Sequence, residues 1–413
     1  MKKSMTLGLA AAALLAGANG ALAQEKIKVG HIADYTGATS SVGKIYGQGI
    51  ADAMAYLNKN GGIAGKQIDY ETVDYSYEVP RAIATYKKWT GGSDPVVAIQ
   101  GWGTGDTEAL VSFVAKDQIP YFSASYSGHL TDPQGKTSAK AAPYNFFYGP
   151  SYSDACRALV QWAADDWKKK GSKGKAKFVH MGDNHPYPNA PKQACGAYAK
   201  DLGFEVVEPI QYSLKPGDFK AQCLSLKESG ANYAFLANTS GSTISLLKSC
   251  ETVGVQTQFM GNVWGIDEPS MVTAGTSADG MVWVVGAATW TDNAPGMKLV
   301  KEISKMSDPS GNEARGAHYM RGVCSVFYMK EAMEIAAKKG KIDGPAIKEA
   351  MYQKKNWVPA GLEGVCLPST WTPDDHRGTT TVMVYQAHTK SAQPSMTKLF
   401  TADIPRKPEW LGW

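Results

Sequence analysis

The chain lacks the residue constellations on which most site chemistry depends. Its six cysteines, Cys156, Cys195, Cys223, Cys250, Cys324 and Cys366, include no CxxC pair and no His–Cys cluster, so metal spacing is missing. The seven histidines are scattered, with no HExxH. There is no Gly-x-Ser-x-Gly elbow, and Ser123-Ala124-Ser125-Tyr126-Ser127-Gly128-His129 resembles one only superficially. Gly101-x-Gly103-x-Gly105 is no dinucleotide fingerprint: its third glycine comes too early and no acid follows at the needed distance. His376, in Asp374-Asp375-His376-Arg377, reads as part of a turn network, and His185 is the histidine best placed for a ligand contact. The basic run 168–177 has no interleaved aromatics, which argues against nucleic acid. No segment approaches the ~20 uninterrupted apolar residues of a membrane span. No catalytic residue, metal or cofactor is expected.

What is present begins with an export signal. Lys2 and Lys3 precede an apolar run at 5–18, and Ala21-Leu22-Ala23 is a small-x-small cleavage site, so 1–23 read as a signal peptide. Its removal takes two lysines from a formal charge of +5, leaving +3, too little to imply nucleic acid or an anionic membrane as partner. About 390 residues remain, more than one core usually holds, so two lobes are expected.

Strand and helix patterns alternate along the chain. Strands are expected at 27–32, 67–74, 96–100, 119–123, 177–181, 205–210, 233–237, 258–261 and 281–285. Helices fall between them, at 41–59, 79–90, 107–116, 153–170, 189–202, 218–229 and 242–253. Later helices are expected at 295–307, 318–338 and 344–353, then a hairpin-like piece at 378–388 and a Pro/Trp tail; 141–150 reads as a connector. This is the pattern of an α/β chain with doubly wound parallel sheets in two Rossmann-like lobes, a ligand cleft between them.

The stretch 95–128 is the most telling. Its two strands each end in a loop of glycine and small hydroxyl residues, Gly101-Trp102-Gly103-Thr104-Gly105 and Ser123-Ala124-Ser125-Tyr126-Ser127. Both loops fall at the carboxyl edge of the sheet, beside a helix N-terminus, where free N–H groups and hydroxyls suit a carboxylate or phosphate. Position along the chain suggests disulfides Cys223 with Cys250, Cys156 with Cys195, and Cys324 with Cys366, all within a lobe and clear of any hinge; buried free thiols are the other reading.

Residues 28–84, with Asn58-Lys59-Asn60-Gly61-Gly62-Ile63-Ala64-Gly65, Asp74 and Pro80, resemble the opening of type I periplasmic binding proteins of the leucine/isoleucine/valine-binding class, capture subunits of ABC importers. The segments KFVHMGDNHPYPN, GDFKAQCLSLKESGANY and DDHRGTTTVMVYQ extend the resemblance over nearly the whole mature chain. It implies two lobes joined by a three-crossover hinge, lobe 1 at 24–147 and 288–360 and lobe 2 at 148–287 and 361–413. It implies a periplasmic monomer that closes on a small solute and docks on membrane permease subunits. Carried over by position, Thr104, the Gly105 amide, Ser125 and Ser127 would grip a ligand carboxylate, and Tyr187 would close from the other lobe.

One departure shapes the ligand expectation. Amino-acid-binding members carry an acid in the loop that here reads Gly261-Asn262-Val263-Trp264-Gly265, and Val263 or a neighbour stands in its place. A buried ammonium without counter-charge costs several kcal/mol, although Asp267 and Glu268 follow closely and could replace the acid. Tyr35, Trp102, Tyr126, Tyr187, Trp264 and Trp290 supply rings for a flat apolar body. The expectation is a small carboxylate, an aromatic acid first; the alternatives are a branched-chain or other amino acid, a soluble ligand sensor, or an exported enzyme.

Overall fold

The computed structural model describes residues 26–138, 140–391 and 393–413; the expected signal peptide lies outside the described residues. The first lobe begins with β1 (Ile27–Ala33), α1 (Ser40–Lys59), β2 (Ile68–Asp74), α2 (Val79–Thr90), β3 (Ala98–Gly101), α3 (Thr104–Asp117), β4 (Tyr121–Ser123) and β5 (Asn145–Phe147). Its strands form one parallel sheet in the order β2-β1-β3-β4-β5. Central β1 is buried along almost its whole length, whereas edge strand β2 is mostly part-exposed, as expected of a sheet covered on both faces at its centre. Gly62 ends the α1 turn at φ +77, where a Cβ would lie 1.9 Å from the Lys66 carbonyl oxygen. Pro80 sits in the first turn of α2, where no N–H is needed.

The second lobe runs α4 (Tyr152–Lys169), β6 (Lys177–Gly182), α5 (Pro186–Asn189), α6 (Lys192–Asp201), β7 (Glu205–Val206), β8 (Ile210–Gln211), α7 (Lys220–Ser229), β9 (Tyr233–Leu236), α8 (Ser240–Thr252), β10 (Gln258–Gly261), α9 (Glu268–Ala274) and β11 (Val282–Val285). The chain then returns to the first lobe, where α10 (Met297–Ser304) and α11 (Ala317–Lys338) pack on α1 and α12 (Gly344–Met351) packs on α11. It crosses again to add β12 (Thr381–His388) and β13 (Ser395–Asp403) antiparallel to the second sheet, whose order is β13-β12-β11-β10-β9-β6-β7 with β8 also on β6. The three crossings meet at one hydroxyl: Tyr148 donates to the Gly286 carbonyl (2.7 Å) and accepts from the Leu367 amide (2.8 Å).

Several elements depart from expectation for local reasons. The connector at 141–150 contains β5, whose buried Asn-Phe-Phe run is hidden in the sequence by Pro143 and Pro150. The helix expected at 189–202 begins only at Lys192, as α6 with Pro191 at its N-cap, and the one-turn α5 precedes it. The strand expected at 205–210 is interrupted and becomes β7 and β8. The tail contains β13, an exposed edge strand with little apolar signal. Helix α3 starts at Thr104 rather than 107, because extended Gly103 caps it and the first turn asks little of its residues.

All three expected disulfides form: Cys156–Cys195 between α4 and α6, Cys223–Cys250 between α7 and α8, and Cys324–Cys366. The third neither lies within one of the expected lobes, whose bounds put Cys324 in lobe 1 and Cys366 in lobe 2, nor stays clear of the hinge. Cys366 forms a β-bridge with Ala287, so the bond fastens the third crossing to α11 while its backbone pairs with the second.

Candidate functional site

Between the lobes lies a small pocket, at the carboxyl edge of both sheets. The first lobe contributes Thr39, Tyr77, Trp102, Gly103, Thr104 and Ala124; the second contributes Tyr152, Tyr187, Thr239 and Trp264. No lining residue carries an ionisable acid or base other than tyrosine. The N-terminus of the 14-residue helix α3 supplies the positive end of a helix dipole there.

The first-lobe wall is built from polar groups that hold one another. The Trp102 indole N–H donates to Thr39 Oγ1 (2.8 Å), which donates to Asp34 Oδ2 (2.6 Å). Asp34 also accepts the amides of Gly37 and Thr39, so a buried carboxylate fixes the loop after β1. Ser125 Oγ donates to Thr104 Oγ1 (2.8 Å), joining the two loops that follow β3 and β4. Behind them, Asp106 accepts from the Tyr75 hydroxyl (2.7 Å), and burial pushes its carboxyl up to about 7.

The second-lobe wall is aromatic and incompletely satisfied. Trp264 lies 5.3 Å from Trp102, 5.6 Å from Tyr46 and 5.2 Å from Tyr126, measured between ring centres. Its indole N–H donates to Tyr152 Oη (3.1 Å), and the Tyr152 hydroxyl reaches the Ala124 carbonyl (3.2 Å) of the facing lobe. Tyr187 Oη and Thr239 Oγ1 are buried pocket-lining groups with no hydrogen-bond partner. Such groups are uncommon and costly unless something satisfies them. Around the pocket the lobes touch: the Gly241 amide donates to Ser41 Oγ (3.1 Å), and Tyr77 stacks near His185 at 4.9 Å.

The residues expected from sequence fall into three places. Trp102, Thr104, Tyr187 and Trp264 line the pocket. Ser125 and Tyr126 lie directly behind the lining, against Thr104 and Trp264. Gly105, Ser127 and Val263 do not line it. Gly105 faces His185, Ser127 donates to Glu108 Oε1 (2.8 Å), and buried Val263 presents its carbonyl to Arg321 (2.6 Å). Tyr35 packs against Gly47, and Trp290 lies near Lys301. His376 is buried between Tyr352 and the Asn145 carbonyl. Thr39, Tyr77, Tyr152 and Thr239 were not expected.

The two acids that could have replaced the family's ammonium partner also face elsewhere. Asp267 caps α9 through Ser270, and Glu268 Oε2 accepts the Ala317 amide (2.9 Å) at the start of α11. Burial raises both carboxyls, that of Glu268 to about 7 with Asp267 adding to the shift.

Residues 26–392 match the periplasmic binding protein family. The chain belongs to that family. A Leu/Ile/Val-binding protein homolog from Brucella abortus is 23% identical over 288 residues, 68% of this chain and 67% of the relative. The crystal structure of an ABC-transporter substrate-binding protein from Aeropyrum pernix superimposes with a TM-score of 0.81 at 25% identity, covering 94% of this chain and 98% of the other. A solute-binding protein from R. palustris in complex with benzoate has a TM-score of 0.75 at 16% identity, covering 94% and 99%. This periplasmic binding protein is therefore a substrate-binding component of an ABC transporter with the type I fold.

Proposed function

We propose that the protein captures a small carboxylate, an aromatic acid in the first instance, in the interlobe pocket and delivers it to a membrane permease from the periplasm. The lobes are taken as 24–147 with 288–360 and 148–287 with 361–413. One observation carries the ligand reading: the lining combines a helix N-terminus and unpartnered hydroxyls with five aromatic rings and no acid. The head of an anion is recognised by the α3 terminus and Thr104. Tyr77, Trp102, Tyr152, Tyr187 and Trp264 cover a flat body. The ligand stabilises the closed form by its extra contacts there, and the permease reads the closed shape.

An amino acid is the second reading, supported by the unpartnered Oδ2 of buried Asp267 and by the Leu/Ile/Val-binding relative. A thermal-shift screen of protein refolded free of ligand separates the two. At 100 times its dissociation constant a ligand stabilises the native state by about 2.7 kcal/mol, a shift of a few degrees. Benzoate, 4-hydroxybenzoate and phenylacetate are expected to raise the midpoint, and leucine, phenylalanine and glutamate are not. A response to amino acids alone overturns the aromatic-acid reading, and recovery of an altered ligand after long incubation would reveal an enzyme.

A further inference from the structure

Arg321, in the interior of α11, is 1% exposed. Its Nη1 donates to the Val263 carbonyl (2.6 Å) and approaches His318 Nδ1 (3.3 Å), and Nη2 reaches the Val284 carbonyl at 3.4 Å. The guanidinium lies 4.8 Å over the Trp264 ring, on a residue whose side chain lines the pocket. Nε has no partner, and a Cβ on Gly286, where Tyr148 ties the crossings, would stand 3.3 Å from it. Among the described residues no carboxylate lies within ion-pair distance of the guanidinium. The nearest acid to it in the network is Asp267, whose Oδ2 is 3.9 Å from His318 Nε2, so a neutral imidazole separates the two.

A buried cation with no ion pair is expensive, and the Asp267 carboxyl, which the Arg321 charge lowers against the upward push of burial, lies beyond the His318 ring. The positive charge reaches the pocket: it counteracts part of the upward push of burial on the Tyr126 and Tyr187 hydroxyls. We infer that Arg321 is a specificity-determining residue, an unpaired cation behind Trp264 that makes the pocket prefer an anionic head to a neutral one of the same shape. Its bonds to Val263 and Val284 also position the Trp264 loop, linking first-lobe helix α11 to the second lobe. The inference rests on the carboxylate reading above and deepens it.

The test compares benzoate with benzamide, a neutral ligand of the same shape, by calorimetry on wild type, R321Q, R321K and R321M. The unliganded thermal midpoint of each is measured first. Wild type should favour benzoate. R321Q, which keeps N–H donors without charge, should weaken benzoate about tenfold while moving benzamide by less than about twofold. R321K should retain most of the preference. If R321Q does not fold, R321M, which removes the buried charge outright, replaces it with the same expectation. Equal weakening of both ligands would reduce Arg321 to a purely structural role and overturn the inference, as would an unchanged ratio. If wild type binds leucine and not benzoate, the aromatic-acid reading fails by itself. The same ratio is then measured with leucine and leucinamide, where loss of the carboxylate preference in R321Q supports the inference and its retention overturns it.

Discussion

The two walls of the pocket differ in how completely the protein satisfies them. On the first-lobe side, Trp102, Thr39 and Asp34 form one hydrogen-bonded chain, and Ser125 holds Thr104. On the second-lobe side, the Tyr187 and Thr239 hydroxyls are buried and unpartnered. A wall whose groups hold one another is pre-organised and loses little order when a ligand arrives. A wall with orphaned hydroxyls gains its partners only on binding. The proposed capture predicts that the first lobe docks the ligand and the second closes over it.

The largest effect should follow from removing the ring shared by the two walls. Trp264→Ala deletes a buried tryptophan from the pocket and from Arg321, and affinity should fall at least a hundredfold, measured by calorimetry. A loss below tenfold would mean that the second lobe contributes little. Thr104→Val should come next, weakening every carboxylate ligand by about tenfold, because a hydrogen bond to a charged group contributes about 1.5–3 kcal/mol. Unchanged affinity would remove Thr104 from the docking wall.

Tyr187→Phe sharpens the comparison because its two readouts move in opposite directions. Losing an unsatisfied buried hydroxyl should leave the free protein as stable or slightly more so, while ligand affinity falls several-fold. A fall in free-protein stability would mean that this hydroxyl already has a partner. The smallest effect on binding is expected from Ser127→Ala, since that hydroxyl is committed to Glu108; a drop comparable to Thr104→Val would put it back in the docking wall.

Two buried carboxyls are raised to about 7, Asp106 behind the first-lobe wall and Glu268 at the start of α9. An acid whose folded value lies above its unfolded one binds more protons when folded, so it withdraws stability as pH rises through that interval. Between pH 5 and 7, wild type should therefore lose thermal stability relative to both Glu268→Gln and Asp106→Asn. Parallel midpoint curves for wild type and either variant would show that the carboxyl concerned does not titrate there.

The parallel strands were legible in the sequence because buried β9 and β11 are short apolar runs and β1 and β3 are short, mainly apolar segments, all bounded by loop residues. Strand β13 was not, since an exposed edge strand need not be apolar. In the pocket, Thr104 was found by a rule that could have found more. Thr104 opens α3 after β3, and Thr39 and Thr239 sit at the N-caps of α1 and α8 after β1 and β9, so applying the same reasoning to every strand-to-helix loop would have named them. Tyr77 adopts φ +61 in the loop after β2, a conformation with no signal in an isolated sequence. Arg321 was invisible because arginine within a helix ordinarily reads as solvent-facing, and its burial depends on contacts with Val263 and Val284 far along the chain.

The most direct test of the central claim is a calorimetric titration of refolded, ligand-free protein with benzoate and, separately, with leucine. The two-wall pocket with no acid in its lining predicts saturable one-to-one binding of benzoate and no measurable heat from leucine. Saturable binding of leucine with none of benzoate would contradict it and make Asp267 or Glu268 the ammonium partner after all.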